Sequence, residues 1–155
     1  MSSHGNDPPI AVRFRTRRPW VPAAATLRRW ALLAGTPRNV EMCIAVVGTA
    51  ESRRLNRAFR GKDRPTNVLS FPAGGRSPDG VRRLGDIVIC APVVAREARE
   101  QRKPLRSHWA HMVVHGCLHL RGYDHERAVD AERMESREVR VLAALGLPDP
   151  YRETT

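Results

Sequence analysis

Residues 115 to 125 read HGCLHLRGYDH, with histidines at 0, +4 and +10 and a glycine at +7. Two imidazoles at i, i+4 on a helix can present nitrogens to one metal ion at about 2.0–2.1 Å. Gly122 permits a sharp reversal with positive φ, and two further residues bring His125 back toward the same point. Three neutral imidazoles suit Zn2+, and nickel, copper or iron would also accept them. The expected centre is one Zn2+ per chain on His115, His119 and His125. Three protein ligands leave one tetrahedral position open, whereas structural zinc is normally closed by four. The pattern therefore points to chemistry, with the pKa of a bound water lowered to about 7.

Five of the six histidines lie between residues 108 and 125. At helical spacing His111, His115 and His119 share a stripe about 80° wide, and His108 falls inside it. The helix that carries them is otherwise apolar all round, so it is expected to be buried with its imidazoles facing a cleft. His111 and His115 are also i, i+4, but only His115 and His119 directly precede the turn that delivers His125. His111 and His108 are expected behind the ligands or along the cleft. Cys117 projects roughly opposite the stripe and stays outside the site.

The same spacing, H-x-x-x-H-x-x-G-x-x-H, occurs in metzincin proteases, which carry a glutamate directly after the first histidine as general base. Gly116 stands there in this chain. Without that base, and with Asp124 expected to cap the following helix, a protease is disfavoured. Glycine within a helix costs about 1 kcal/mol relative to alanine. The expectation for Gly116 is a bare backbone beside the metal that admits a bulky anionic group such as a phosphodiester.

The formal net charge of +11 favours a polyanionic partner. The stretch FRGKDRPTNVLSFP (59–72) concentrates Arg60, Lys62 and Arg64 where a helix gives way to a strand, and Asn67 adds an amide. No apolar run approaches the roughly 20 residues that span a bilayer. The opening residues have no apolar signal region, and three scattered cysteines (Cys43, Cys90, Cys117) suit reduced, mostly buried thiols in a cytosolic protein.

Strands are expected at 10–16, near an edge, at 41–48, at 67–72 and at 84–92, the last lying mid-sheet. Helices are expected at 22–34, 49–60, 92–102, 105–121 and 127–145. Thr49 is expected to cap the second helix, with Leu55 and Phe59 on its inner face. Four strands interleaved with helices indicate a small α/β sandwich. Residues 1–9 read as a loose tail, 10–151 as one domain and 152–155 as a short C-terminal tail.

FRGKDRPTNVLSFP, LGDIVI and HGCLHLRGYDH, in that order, together with the ending RMESREVRVLAALGLPDPY, resemble the YbeY family of bacterial metal-dependent endoribonucleases. The resemblance covers roughly residues 40 to 151. It implies a cytoplasmic, single-strand-specific RNase acting on the small-subunit ribosomal RNA precursor and in ribosome quality control. Partners so implied are single-stranded RNA and the ribosome or its proteins, with neither DNA nor a membrane. It also implies zinc on His115, His119 and His125, and a functional arginine at Arg60. The expected fold is an α/β (α+β) single-domain sandwich: a mixed four-stranded sheet, about five helices and a zincin-like metal site.

Catalytic roles are expected for Arg60 and His115, and flanking RNA contacts for Lys62, Arg64 and Asn67. Asp86 and His111 are expected to orient metal ligands from behind. Two other functions compete: a ribosome-assembly RNA-binding factor whose metal is mainly structural, and a zinc metalloprotease.

Overall fold

The computed structural model describes residues 10–152. The N-terminal tail at 1–9, and the C-terminal tail apart from Arg152, lie outside the described residues.

Among the described residues, five helices and four strands follow one another as β1 (Ile10–Phe14), α1 (Ala24–Leu33), β2 (Val40–Val47), α2 (Thr49–Arg60), β3 (Val68–Pro72), β4 (Arg82–Cys90), α3 (Ala91–Glu100), α4 (Leu105–Leu120) and α5 (Ala128–Ala144). The sheet order is β1-β2-β4-β3. β1 and β2 are parallel, as are β2 and β4, while β3 runs antiparallel to β4 at the far edge. The sheet is therefore mixed, and β4 lies mid-sheet, as its apolar run Ile87–Cys90 requires.

Strand alternation sorts the side chains onto two faces. Met42, Ile44, Val46, Ile87 and Ile89 enter the main core with Leu27, Trp30, Trp109, Val113, Met134 and Leu142. Val47, Leu69, Val88, Cys90 and Val93 form a smaller core on the other side, with Leu55 and Phe71 packed against it. Helix α4 is central: it packs against β3 and β4 and against α1, α3 and α5. Such enclosure explains why a helix bearing four histidines is apolar on every other side.

Two local expectations change. Gly48, not Thr49, occupies the position before α2, and no side chain caps that helix. The buried residues of α2 are Ser52 and Asn56, while Phe59 is 67% exposed. The inner face of α2 is polar because it holds a loop. Ser52 Oγ donates to the Thr66 carbonyl and accepts from the Thr66 N–H, both at 3.0 Å, and Asn56 Nδ2 donates to the Arg64 carbonyl at 2.8 Å. The basic loop 61–67 is thus fastened to the helix by hydrogen bonds from two buried side chains.

Candidate metal centre

Helix α4 carries His108, His111, His115 and His119, and the turn after it carries His125. Gly122 takes φ +98, the left-handed conformation in which a β-carbon would be strained, and the chain reverses there as expected. The ring centres of His115, His119 and His125 stand 5.9, 5.6 and 5.2 Å apart. Imidazoles that share an ion with Zn–N bonds of about 2.0–2.1 Å have centres roughly 5 Å apart, so the spacing of the three rings is close to what a shared ion requires. Burial, with His115 and His125 alongside, pushes His119 below the ordinary histidine value, which favours the neutral ring a metal needs.

One side chain organises the region behind these rings. Glu138 of α5 is fully buried. It accepts from His115 Nδ1 at 2.9 Å through Oε1, and from His111 Nε2 at 2.5 Å through Oε2. The Tyr151 hydroxyl donates to Oε2 at 2.6 Å. Burial alone would raise this carboxyl, but the hydrogen bonds from His111, His115 and Tyr151 outweigh it and hold the pKa at about 2. Burial and the Glu138 charge raise the Tyr151 phenol, so it stays protonated and donates. With Nδ1 of His115 committed to Glu138, its Nε2 is left for another partner. A carboxylate behind a metal-binding histidine fixes both its tautomer and its ring orientation.

Among the described residues, the side chains whose ligand atoms all lie within 4.8 Å of one another, and so could hold a metal ion, are His111, His115 and Glu138.

His115, His119 and His125 line a cavity of about 450 Å3 together with Phe59, Arg60, Asn67, Ser70 and Phe71. Among the described residues Arg60 has no hydrogen-bond or ion-pair partner. Lys62 and Arg64 are exposed on the adjoining loop and do not line the cavity. Asn67 lines it, but its amide donates to both Glu97 oxygens at 3.0 and 3.2 Å. His108 is buried, with Nε2 2.9 Å from Glu97.

Three expectations fail on geometry. Asp86 is exposed and pairs across the sheet with Phe71, on the face away from α4, because Ile87 and Ile89 take the inward positions. The carboxylate hydrogen-bonded to a histidine of the cluster is Glu138 instead. Its signal was present: Met134, Glu138, Val141 and Leu142 share one helical stripe, so a carboxylate interrupts an otherwise apolar face.

Gly116 is the second. A β-carbon there would meet Ile87 Cγ2 at 2.9 Å, so the glycine lets α4 approach the sheet rather than opening space for a substrate. Asp124 is the third: it accepts from the His125 and Glu126 N–H groups at 2.7 and 3.2 Å, shaping the loop that carries His125, while Arg127 precedes α5. Cys117 is buried opposite the site, its thiol pushed up to about 12 by burial. No helix among the described residues is long and apolar enough to cross a membrane.

Residues 22–146 match the family model described as Endoribonuclease YbeY. A protein named Endoribonuclease YbeY from Halorhodospira halophila is 60% identical over 119 residues, covering 75% of this chain and 77% of the relative. One of the same name from Stenotrophomonas maltophilia is 51% identical over 150 residues, covering 92% of each. The solution structure of a Thermotoga maritima protein superposes with a TM-score of 0.53 at 25% identity, covering 92% of this chain and 99% of that one.

Proposed function

The chain belongs to the YbeY family of endoribonucleases, and from that premise we propose that it is a zinc-dependent endoribonuclease that cuts single-stranded RNA. Its substrate is the small-subunit ribosomal RNA precursor, met on or near the ribosome in the cytoplasm, where it serves rRNA maturation and ribosome quality control. The observation that supports the metal assignment is the 2.9 Å bond between His115 Nδ1 and Glu138, which leaves Nε2 of His115 available for an ion in the cavity it lines with His119 and His125.

When bound, zinc would supply Lewis acidity toward a phosphate oxygen and lower the pKa of a bound water to about 7. His115, His119 and His125 would hold it. Arg60, whose side chain has no partner among the described residues, donates two parallel N–H groups to the phosphate and stabilises the charge that develops there. Lys62 and Arg64 hold flanking phosphates at the rim, and their exposure suits that role. Asn67, tied to Glu97, forms part of the wall. A concave site of this kind suits an unpaired strand, whose bases can be splayed out, better than an A-form duplex.

A second metal assignment has an observation in its favour, the His111, His115 and Glu138 group. An ion there would displace the hydrogen bonds that join Glu138 to both imidazoles. The two assignments separate on metal content and cleavage of a short single-stranded RNA by wild type, His119→Ala and His111→Ala. The proposal requires His119→Ala to lose both the metal and the activity. Retention of metal by His119→Ala with loss in His111→Ala would transfer the site to the inner group. Absence of metal-dependent cleavage in the wild type would end the nuclease assignment.

A further inference from the structure

Phe59 is 67% exposed, the most exposed large hydrophobic among the described residues. Single exposed apolar residues are ordinary and need no explanation. What sets Phe59 apart is its place. Of the five large hydrophobics with high exposure, it alone lines the histidine cavity. It precedes Arg60 in the last turn of α2, which Gly61 closes in the left-handed conformation. Its ring meets Phe71 edge-on, with centroids 5.1 Å apart and planes at 68°. Phe71 is packed against the smaller core, so the edge contact braces the Phe59 ring against the sheet.

We propose that Phe59 is a stacking platform for one unpaired nucleobase next to the scissile phosphate. The proposal rests on the nuclease assignment and deepens it, because it names what selects single strands. A base within a duplex is covered on both faces by its neighbours, whereas an unpaired base can lay one face on an aromatic ring. Arg60, one residue along, holds the adjoining phosphate, so the pair reads base and backbone together. Stacking tolerates any base, since each has a π face. The site therefore discriminates by strandedness more than by sequence.

The test uses steady-state cleavage of a short fluorescent single-stranded RNA, with a matched set of RNAs carrying an abasic ribose at successive positions around the cut. Phe59→Ala should raise KM by about 5- to 150-fold, the worth of one stacked base, with kcat changed only a few-fold. Phe59→Trp should restore the wild-type value. Phe59→Leu, which keeps apolar contact with Phe71, should not. At one flanking position the abasic RNA should weaken the wild type to the level of Phe59→Ala while leaving Phe59→Ala itself unchanged.

Equal KM for wild type and Phe59→Ala, or an abasic penalty of the same size in both proteins at every position, would overturn the platform. Fluorescence anisotropy of the same RNAs on wild type and Phe59→Ala reads the stacking without cleavage. A wild type that binds RNA through Phe59 but cuts nothing would refute the nuclease assignment alone. Anisotropy that is the same for both proteins would refute the platform.

Discussion

Nδ1 of His115 and Oε1 of Glu138 stand 2.9 Å apart, joining the middle of α4 to the middle of α5 across the back of the histidine cluster. Glu138→Gln keeps the shape but turns an amide N–H toward one of two donating imidazoles. The expected result is a metal affinity about 10- to 100-fold weaker and a stability loss of about 2 kcal/mol from the unsatisfied buried group. Chelator competition and urea denaturation measure the two effects. Unchanged affinity would show that Glu138 does not orient a ligand.

Among the described residues the Arg60 side chain has no partner, so its removal should cost the fold little and the chemistry much. Arg60→Ala is expected to lower kcat by about 10²–10³-fold, with a melting temperature close to wild type. Arg60→Lys should recover little, because an ammonium cannot supply two parallel donors. Full cleavage with weakened RNA binding in Arg60→Ala would reduce its role to binding.

Gly116→Ala should destabilise although alanine is the better helix former. The gain of about 1 kcal/mol in helix propensity is set against a β-carbon 2.9 Å from Ile87 Cγ2, and such overpacking costs about 1–3 kcal/mol. Ile87 is buried and β-branched, so it yields poorly. A net loss of about 1 kcal/mol is expected in denaturant melts, with RNA cleavage by the folded protein retained. A variant more stable than wild type would mean that the helix shifts without cost.

Glu97 supplies an acid-side dependence of stability. Burial would raise its carboxyl, but hydrogen bonds from His108 and Asn67, with the charges of His108 and Arg96, leave it below the ordinary value. A carboxyl whose folded pKa is depressed contributes stability that is fully present above its unfolded pKa of about 4.3. That contribution is lost as pH falls through the folded value. Denaturant melts between pH 6 and pH 3 should therefore show a weaker decline in Glu97→Gln than in wild type. Parallel declines would place the acid sensitivity elsewhere.

The histidine cluster was legible because its information is local: i, i+4 spacing, an apolar helix and a glycine where φ must turn positive. Strand positions were legible for the same reason, since IVIC and the alternation in IAVRF each report burial directly, whereas the mixed sheet was implied only by the family resemblance. Contacts between distant segments were not. Glu138 lies 23 residues beyond His115, and among the glutamates of α5 only its place in the stripe of Met134 and Leu142 marks it. Asp86 was misassigned because proximity to a motif says nothing about which sheet face a side chain takes. The inner face of α2 was misread because Ser52 and Asn56 bind a loop, and a polar face that binds a loop looks like a solvated one.

The bracing of His115 by Glu138 and Tyr151 also sets an order of assembly. A ribosome makes the chain from its N-terminus at about 5–20 residues per second, so Arg60 and all three candidate ligands are synthesised before Glu138. Tyr151 follows later still, and the Lys103 ammonium then grips the carbonyl beside it at Pro150. A nascent or stalled chain that stops short of α5 carries the three histidines without the carboxylate that holds His115. In the proposed site, the support behind His115 is thus completed only after the ligands themselves have been made.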